Sequence, residues 1–176
     1  MIGRRTTGSR PVRRAGRDDL ADGAAASEDA AHAAALWLLE SRARTRLELQ
    51  QRLGRRGFEA GAIARALDRL SAVGLVDDEV FARELASSRV GQGVDASRIV
   101  VELRDRGVDP EMAARIAGES APASDRTDRC RELAEARLSK LQGLDPQVQF
   151  RRLAAYLARR GYPGDIVENV VRELVD

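Results

Sequence analysis

The sequence predicts an all-α protein: an elongated tandem array of three three-helix modules, each containing a helix-turn-helix-like repeat. The first observation is a recurring pattern of two aliphatic residues four apart, followed by an arginine, a glycine and an apolar residue. Its glycines are Gly57, Gly107 and Gly161, at spacings of 50 and 54 residues. The second observation is that 43% of the residues are hydrophobic but only 3% are aromatic, which favours alanine- and leucine-rich helices. A repeat of this length predicts modules in series.

Each copy of the pattern predicts the end of a helix. Aliphatic residues four apart share one helical face and can pack into a core. A glycine just past the last helical residue adopts the left-handed conformation without steric cost, and the apolar residue after it folds back onto the last turn. The aliphatic pairs are Leu49 and Leu53, Ile99 and Leu103, and Leu153 and Leu157.

Residues 1–27 are expected to form a disordered, arginine-rich tail, because they show no hydrophobic periodicity. The first 17 residues hold six arginines and no acid, whereas five acids and no base lie between Asp18 and Asp29. An arginine-rich arm could contact nucleic acid or serve only as a solubilising tail. Both interpretations stay open.

Residues 28–75 form the first predicted module. Ser27 is the expected N-cap of its first helix. Trp37 is interpreted as a core residue, because a single tryptophan among aliphatic residues at helical spacing usually packs inside. Thr45 and Glu48 form a Thr-x-x-Glu capping box that opens the second helix. The third helix has an apolar face closed by Gly74, made of Ile63, Leu67, Leu70 and Val73.

Residues 76–119 form the second predicted module. Its first helix opens at Asp77, Asp78 and Glu79, since acids in a first turn are favoured by the helix dipole. Asp95 or Ser97 is expected to cap the second helix. An Asp-Pro pair at residues 109–110 opens the third helix as N-cap and first helical residue.

A short linker at residues 120–124 precedes the third predicted module, residues 124–176. Cys130 lies on the apolar face of its first helix and is interpreted as a small buried hydrophobe. Asp145 and Pro146 open the second helix, and the last helix places Ile166 and Val170 on its core face.

The residues that usually carry catalysis are scarce. His32 is the only histidine and lies among alanines, while Lys140 is the only lysine, so no glycine loop with a phosphate-binding lysine is present. Cys130 is the only cysteine, so no internal disulfide can form, and no metal-ligand spacing surrounds it. We therefore expect no enzymatic activity, no cofactor and no metal site.

The chain lacks the apolar segments that membranes require. The longest wholly apolar run, residues 33–39, has seven residues, far fewer than the roughly 20 that span a bilayer. No secretory signal is recognisable at the N-terminus. We predict a cytoplasmic protein, and a monomer, because no long coiled-coil seam is visible.

Binding through a surface is therefore the expected activity. The candidate polar contacts are recurrent arginines at the helix ends, together with acids and an arginine at the start and end of the second module's first helix. The arginines also have a structural interpretation, because cations at helix C-termini offset the dipole. The candidates are Arg55, Arg56, Asp77, Asp78, Arg89, Arg106, Arg159 and Arg160.

The short glycine turns between helices also allow a different class of function, a helix-turn-helix DNA-binding transcriptional regulator. The charge distribution argues against it. The net charge of +2 divides into +1 for the first 29 residues and +1 for the rest, which is a poor match to a protein that neutralises many phosphates. A helical adaptor for an unrelated protein is a third possibility.

Taken together, the patterns resemble the RecX family of recombinase regulators over about residues 30–176. The junction of the first two modules is the most specific part, reading Leu-Val-Asp-Asp-Glu-Val-Phe-Ala over residues 75–82. Further matching residues are Glu48, Leu49, Leu53, Arg56, Gly57, Phe58, Gly74, Arg89, Gly93, Glu102, Leu103, Gly107, Val108, Leu157, Arg160, Gly161 and Tyr162. After Gly93 the family often has small or basic residues, whereas this chain has Val94, Asp95, Ala96 and Ser97.

The resemblance implies an elongated array of three-helix modules that binds the helical groove of the RecA filament on single-stranded DNA. It also implies inhibition of RecA's ATPase, strand exchange and co-protease activities. Weak direct contact with DNA is a further expectation. An extended helical array suits such a groove, since many modest contacts linked in one chain reinforce one another.

Overall fold

The chain folds into three successive three-helix modules, which confirms the predicted all-α array. The fold was obtained as a computed structural model that describes residues 17–175, with side chains from residue 27 onward. Over residues 17–175 it contains nine α-helices and no strand. The helices are α1 (Arg17–Ser41), α2 (Arg46–Arg55), α3 (Ala60–Ala72), α4 (Asp78–Gly91), α5 (Ala96–Asp105), α6 (Pro110–Ser120), α7 (Arg126–Leu138), α8 (Pro146–Arg159) and α9 (Gly164–Val175).

Each module has its own hydrophobic core. Helices α1 to α3 pack on one another, as do α4 to α6 and α7 to α9. The aliphatic pair of each second helix is fully buried at the centre of its cluster. Burying one such side chain contributes roughly 1.5–3 kcal/mol, so the repeated pairs are a main source of each module's stability. None of the helices within residues 17–175 has the length and apolar character needed to cross a membrane.

Helix α1 begins at Arg17, ten residues before the expected N-cap at Ser27. The difference falls within residues 1–27, for which we expected a disordered tail. Residues 23–26 read Gly-Ala-Ala-Ala. Because alanine has the highest helix propensity, this stretch allows the helix to start before Ser27. The rest of that expectation, for residues 1–16, lies outside the described residues.

The interpretation of Trp37 as a core residue is wrong. Its side chain is 60% exposed, whereas Ala31, Ala35 and Leu38 of the same helix are buried. These three residues follow the i, i+4, i+7 spacing of one face. Trp37 lies one residue, about 100°, from Leu38 around the helix axis, so it projects from the side of the module.

The three repeated glycines end their helices as predicted. Gly57, Gly107 and Gly161 have φ values of +88°, +85° and +93°. In each case the following apolar residue donates its N–H to the carbonyl of the second core leucine, with N···O distances of 3.1–3.4 Å. This six-residue closure is the Schellman motif. It turns the chain from the second helix of each module into the third.

The first two modules meet end to end. The Thr45 hydroxyl, at the N-cap of α2, donates to the carbonyl of Arg106 at the C-cap of α5, with an O···O distance of 2.6 Å. The Arg46 N–H donates to the Asp78 carboxylate at 2.8 Å. A Cβ added to Gly107 would lie 2.4 Å from the Leu47 Cβ, so α2 packs directly on this glycine.

The second and third modules meet in the same way. The Asp95 N–H, at the N-cap of α5, donates to the carbonyl of Arg160 at the C-cap of α8 (2.9 Å), and the Ser97 hydroxyl donates to the carbonyl of Gly161 (2.8 Å). The Asp95 carboxylate is fully buried and lies 2.8 Å from Arg126 Nε of α7. Asp95 is thus both a helix cap and the centre of the junction.

These contacts connect the second helices as a series. The C-terminus of α8 meets the N-terminus of α5, and the C-terminus of α5 meets the N-terminus of α2. The donor end of one helix satisfies carbonyls at the acceptor end of the next, which also places opposite dipole ends together. Within residues 17–175, two ends of the series have no neighbouring module: the C-terminus of α2 and the N-terminus of α8.

Candidate interaction surface

A recurring arginine at the C-cap of each second helix lies over an aromatic ring. The guanidinium carbon of Arg56 is 4.7 Å from the Trp37 ring centroid, and that of Arg106 is 5.7 Å from Phe81. Arg160 lies 3.9 Å from Tyr156. Stacking of this kind stabilises by about 0.5–1 kcal/mol at exposed sites and holds the flat guanidinium in one orientation. The three arginines are therefore positioned by their modules rather than freely rotating.

The two predicted acids have structural partners within the chain. Asp77 is the N-cap of α4 and accepts hydrogen bonds from the N–H groups of Glu79 and Val80 (2.9 and 3.0 Å). Asp78 accepts the Arg46 N–H across the junction. Burial raises the pKa of the Asp78 carboxyl above its ordinary value, although the Arg46 N–H partly offsets the effect. Asp77 thus fixes the start of α4, and Asp78 links that start to α2 of the first module.

Arg89 and Arg106 also have partners. Arg89 forms a bidentate pair with Glu102, with both N···O distances at 2.7 Å. Arg106 Nη2 lies 3.0 Å from the same carboxylate and its Nη1 lies 3.7 Å from Glu48. The two guanidinium groups hold the pKa of Glu102 below its ordinary value, with Arg89 the larger cause. The cluster ties α4 to α5 and faces the first module.

The remaining predicted arginines have no carboxylate within 4 Å among the described residues. Arg55 is exposed at the last residue of α2, and Arg159 is exposed at the last residue of α8. Arg56 and Arg160 follow them as C-caps. The predicted set therefore divides into residues that hold modules together and residues at two helix ends whose charges are available to a partner.

Three arginines that the sequence analysis did not single out lie beside Arg159 and extend the charged surface of the third module. Four arginines from α7 and α8 line a concavity of about 380 Å³ with Ala155. Tyr156 lies between two guanidinium groups, that of Arg160 and that of Arg137 at 5.2 Å. The i, i+4, i+8 spacing of residues 151, 155 and 159 was a sequence signal for this face. The four arginines are Arg137, Arg151, Arg152 and Arg159.

A second concavity, of about 450 Å³, lies beside the open C-terminus of α2. It is lined by the exposed Trp37 and by three arginines, with Glu40 as the only acid in the lining. Arg44 is held in place, because its Nε donates to the carbonyl of Leu38 at 3.0 Å. The arginines are Arg44, Arg52 and Arg56. Both concavities are thus rich in guanidinium groups, and the one beside α2 also contains an aromatic ring.

The described side chains contain no cluster of metal ligands. Across the described side chains, no three His, Cys, Asp or Glu residues are arranged to hold a metal ion. Cys130 is fully buried, as expected from the sequence, and burial raises the pKa of its thiol to about 11. The surface offers arginine and aromatic contacts instead.

Comparison with known proteins gives a consistent result for sequence and fold. Family models for the first and third three-helix domains of RecX match residues 31–70 and residues 124–171. The solved structures include a RecX from Lactobacillus salivarius, with a TM-score of 0.70, 20% identity and coverage of 85% of this chain and 97% of that chain. A further RecX crystal structure gives a TM-score of 0.72 at 16% identity, covering 88% and 78%. At these identities the structures establish the fold alone.

Curated relatives are more similar in sequence. The regulatory protein RecX of Amycolatopsis mediterranei is 42% identical over 137 residues, covering 77% of this chain and 78% of the relative. That of Thermobifida fusca is 39% identical over 162 residues, covering 90% and 87%. That of Mycolicibacterium smegmatis is 39% identical over 176 residues, covering 94% and 93%. With two domain models matching in order and relatives aligned across nearly its whole length, this chain belongs to the RecX family of regulatory proteins.

Proposed function

We propose that the protein is a negative modulator of the RecA recombinase, which binds the helical groove of the RecA filament on single-stranded DNA. Bound there, it inhibits ATP hydrolysis, strand exchange and co-protease activity. It is a non-enzymatic, cytoplasmic protein that acts by occupying a surface. The single observation that carries the proposal is membership of the RecX family over nearly the whole chain.

The fold supports binding to a repeating partner. The second helices of the three modules are connected in one series, and together they rise roughly 50 Å at 1.5 Å per residue if aligned end to end. Such a series can contact more than one subunit of a filament. Each contact adds to the others through effective concentration.

Arginines at the C-termini of α2 and α8 supply the contacts that we assign to RecA. Arg55 and Arg56 lie at one end, while Arg159 and Arg160 lie where α8 meets α5. Arginines stacked on aromatic rings recognise carboxylates at low entropic cost, because the guanidinium is already oriented. We assign an indirect role, that of fixing the angle between the first two modules, to Asp77, Asp78, Arg89 and Arg106.

Charge reversal tests the assignment. We expect the double variant Arg159→Glu/Arg160→Glu to bind RecA filaments at least tenfold more weakly, measured by cosedimentation on single-stranded DNA. The matched control is Arg115→Glu/Arg172→Glu, which changes the net charge equally at exposed arginines of α6 and α9. Unchanged circular dichroism must accompany both variants. Equal binding by the two doubles would remove Arg159 and Arg160 from the contact surface.

Direct DNA contact is a weaker, separate activity of the same arginine surface. The concavity of Arg137, Arg151, Arg152 and Arg159 carries four guanidinium groups and no acid in its lining, which favours a phosphate backbone. Binding to DNA without RecA should therefore be detectable and should weaken steeply with salt. Tight, sequence-selective binding to one duplex would instead favour a helix-turn-helix transcriptional regulator.

A further inference from the structure

The two open ends of the helix series have complementary shapes and chemistry. We define the open α2 end as Trp37, Arg56 and Gly57, and the open α8 end as Asp145, Pro146, Gln147, Phe150 and Val175. In the two internal junctions, an end of the first kind is covered by an end of the second kind. We propose that the open α8 end of one copy of this chain docks on the open α2 end of the next.

Among the described residues, the open α2 end lacks the kind of neighbour that covers the other two repeated glycines. A Cβ added to Gly107 would meet Leu47 at 2.4 Å, and one added to Gly161 would meet the Arg98 Cβ at 2.6 Å. Gly57 has the same left-handed backbone but nothing within 4 Å of that position. The open α2 end is thus the third copy of an acceptor that is filled twice inside the molecule.

The open α8 end carries the donor groups of the filled junctions. At the second junction the Asp95 carboxylate accepts the N–H of Ser97, and the backbone N–H of Asp95 donates to the C-cap carbonyl of α8. Asp145 repeats this cap, because its carboxylate accepts the N–H of Gln147 at 2.8 Å. Among the described residues the Asp145 N–H has no acceptor. It is the counterpart of the Asp95 N–H, and the Gln147 amide is the counterpart of the Ser97 hydroxyl.

An apolar contact accompanies these hydrogen bonds. A cavity of about 230 Å³ at the open α8 end is lined by Pro146, Gln147, Phe150 and Val175. A cavity of about 150 Å³ already holds benzene, so an indole ring fits. At the open α2 end, Trp37 is 60% exposed and stacked on Arg56. In the docked arrangement, the arginines beside Trp37 would attract the Asp145 carboxylate of the neighbouring copy.

The contact joins different surfaces of two identical chains, so it leaves one free end of each kind and can continue. One helix end buries far less than the roughly 1,000 Å² of a stable interface. The chain is therefore a monomer in dilute solution, and its copies associate in a row at high concentration or along a repeating partner. This association is independent of what that partner is.

Cross-linking tests the predicted polarity of the contact. Two single-substitution variants, Arg56→Cys and Gln147→Cys, are mixed at high concentration with a short bis-maleimide and no RecA. We expect covalent dimers in the mixture and none above background with either variant alone. Cys130 does not interfere, since it is fully buried. Val73→Cys replaces Arg56→Cys in the control. Val73 was expected on the apolar face of α3, but it is the C-cap of that helix, 69% exposed and outside the open α2 end.

The same association can be followed through the only tryptophan of the chain. Iodide quenching of Trp37 should fall as the concentration of the wild-type protein rises. Gln147→Met should lower the association constant about tenfold, the equivalent of about 1.4 kcal/mol, because it removes the amide donor without adding a charge. Methionine and glutamine have similar helix propensities, so this variant keeps its fold.

Three outcomes overturn the proposal. These are dimers no more abundant than in the Val73→Cys control, equal dimer yield from Arg56→Cys alone, and quenching of Trp37 that is independent of concentration. If Trp37→Ala weakens the binding of RecA filaments and leaves Trp37-independent cross-linking unchanged, the open α2 end contacts RecA alone. That result would leave the proposed function intact and refute the association of copies.

Discussion

Replacing Gly107 by alanine isolates the energetic contribution of the junction between the first two modules. The matched control is Gly57→Ala, because the two glycines have nearly equal φ values of +85° and +88°. Each substitution incurs the same backbone penalty, about 1 kcal/mol for a non-glycine residue in the left-handed region. Of these two glycines, only Gly107 is covered by another module. The difference in the free energy of unfolding between the two variants therefore measures the contribution of the junction.

The geometry predicts a larger loss at Gly107. The new methyl group would lie 2.4 Å from both the Cβ and the Cδ2 of Leu47. A rotamer change moves Cδ2 but not Cβ, so α2 itself must shift. The shift stretches the hydrogen bond from the Thr45 hydroxyl to the Arg106 carbonyl. Overpacking of this kind costs about 1–3 kcal/mol.

Urea unfolding followed by circular dichroism measures both free energies of unfolding. We expect Gly57→Ala to lose about 1 kcal/mol and Gly107→Ala to lose about 2–4 kcal/mol. Small-angle scattering should change for Gly107→Ala alone, because only there do two modules separate. Equal destabilisation with unchanged scattering for both variants would refute the end-to-end contact of α2 and α5.

Three further predictions concern buried groups. Arg126→Met should lower the free energy of unfolding by about 3 kcal/mol in urea titrations, because it leaves the fully buried Asp95 carboxylate without its cation; no loss would show that the pair is dispensable. Cys130 should react with a thiol reagent at pH 8 only after unfolding, since its pKa is raised to about 11; fast reaction of the folded chain would contradict its burial. Because the pKa of Glu102 is lowered in the folded chain, its carboxylate stabilises the fold at pH values above its ordinary pKa of 4.5. That stability is lost as the pH falls through the lowered pKa. Arg89→Met should therefore flatten the acid side of the stability profile, measured by thermal unfolding between pH 3 and 7, and an unchanged profile would show that Arg89 does not set the pKa.

The positions of the helix ends could be predicted because each has a local cause. The left-handed glycines need only the missing Cβ, and the acidic N-caps at Asp109 and Asp145 need only a short carboxylate. Both of these N-caps are present in the structure, whereas Asp77, expected in the first turn of α4, is its N-cap. The core leucines follow equally from helical periodicity.

The junctions could not be predicted, because they depend on contacts between residues 31 to 65 positions apart. The sequence marked Asp95 as a candidate N-cap and as a departure from the family. It gave no sign that this carboxylate is buried against Arg126 or that the residue's N–H caps α8. Likewise, Thr45 was identified as a local cap, and its bond to the Arg106 carbonyl was not foreseen.

The candidate site was predictable only in part. The arginines at the helix ends followed from the repeat, but which of them have carboxylate partners depends on the packing of α4 against α5 and of α7 against α8. The prediction for Trp37 was wrong because helical spacing among apolar neighbours does not by itself say which of them face the core. The buried stripe of Ala31, Ala35 and Leu38 would have placed it outside.

The most direct test of the proposed function is RecA's ATP hydrolysis on single-stranded DNA, titrated with this protein from well below stoichiometric amounts up to parity. We predict progressive loss of hydrolysis, and loss at a small fraction of parity would favour action at filament ends over coating of the groove. Unchanged hydrolysis at parity, with the protein folded and helical by circular dichroism, would contradict the proposal that it modulates RecA.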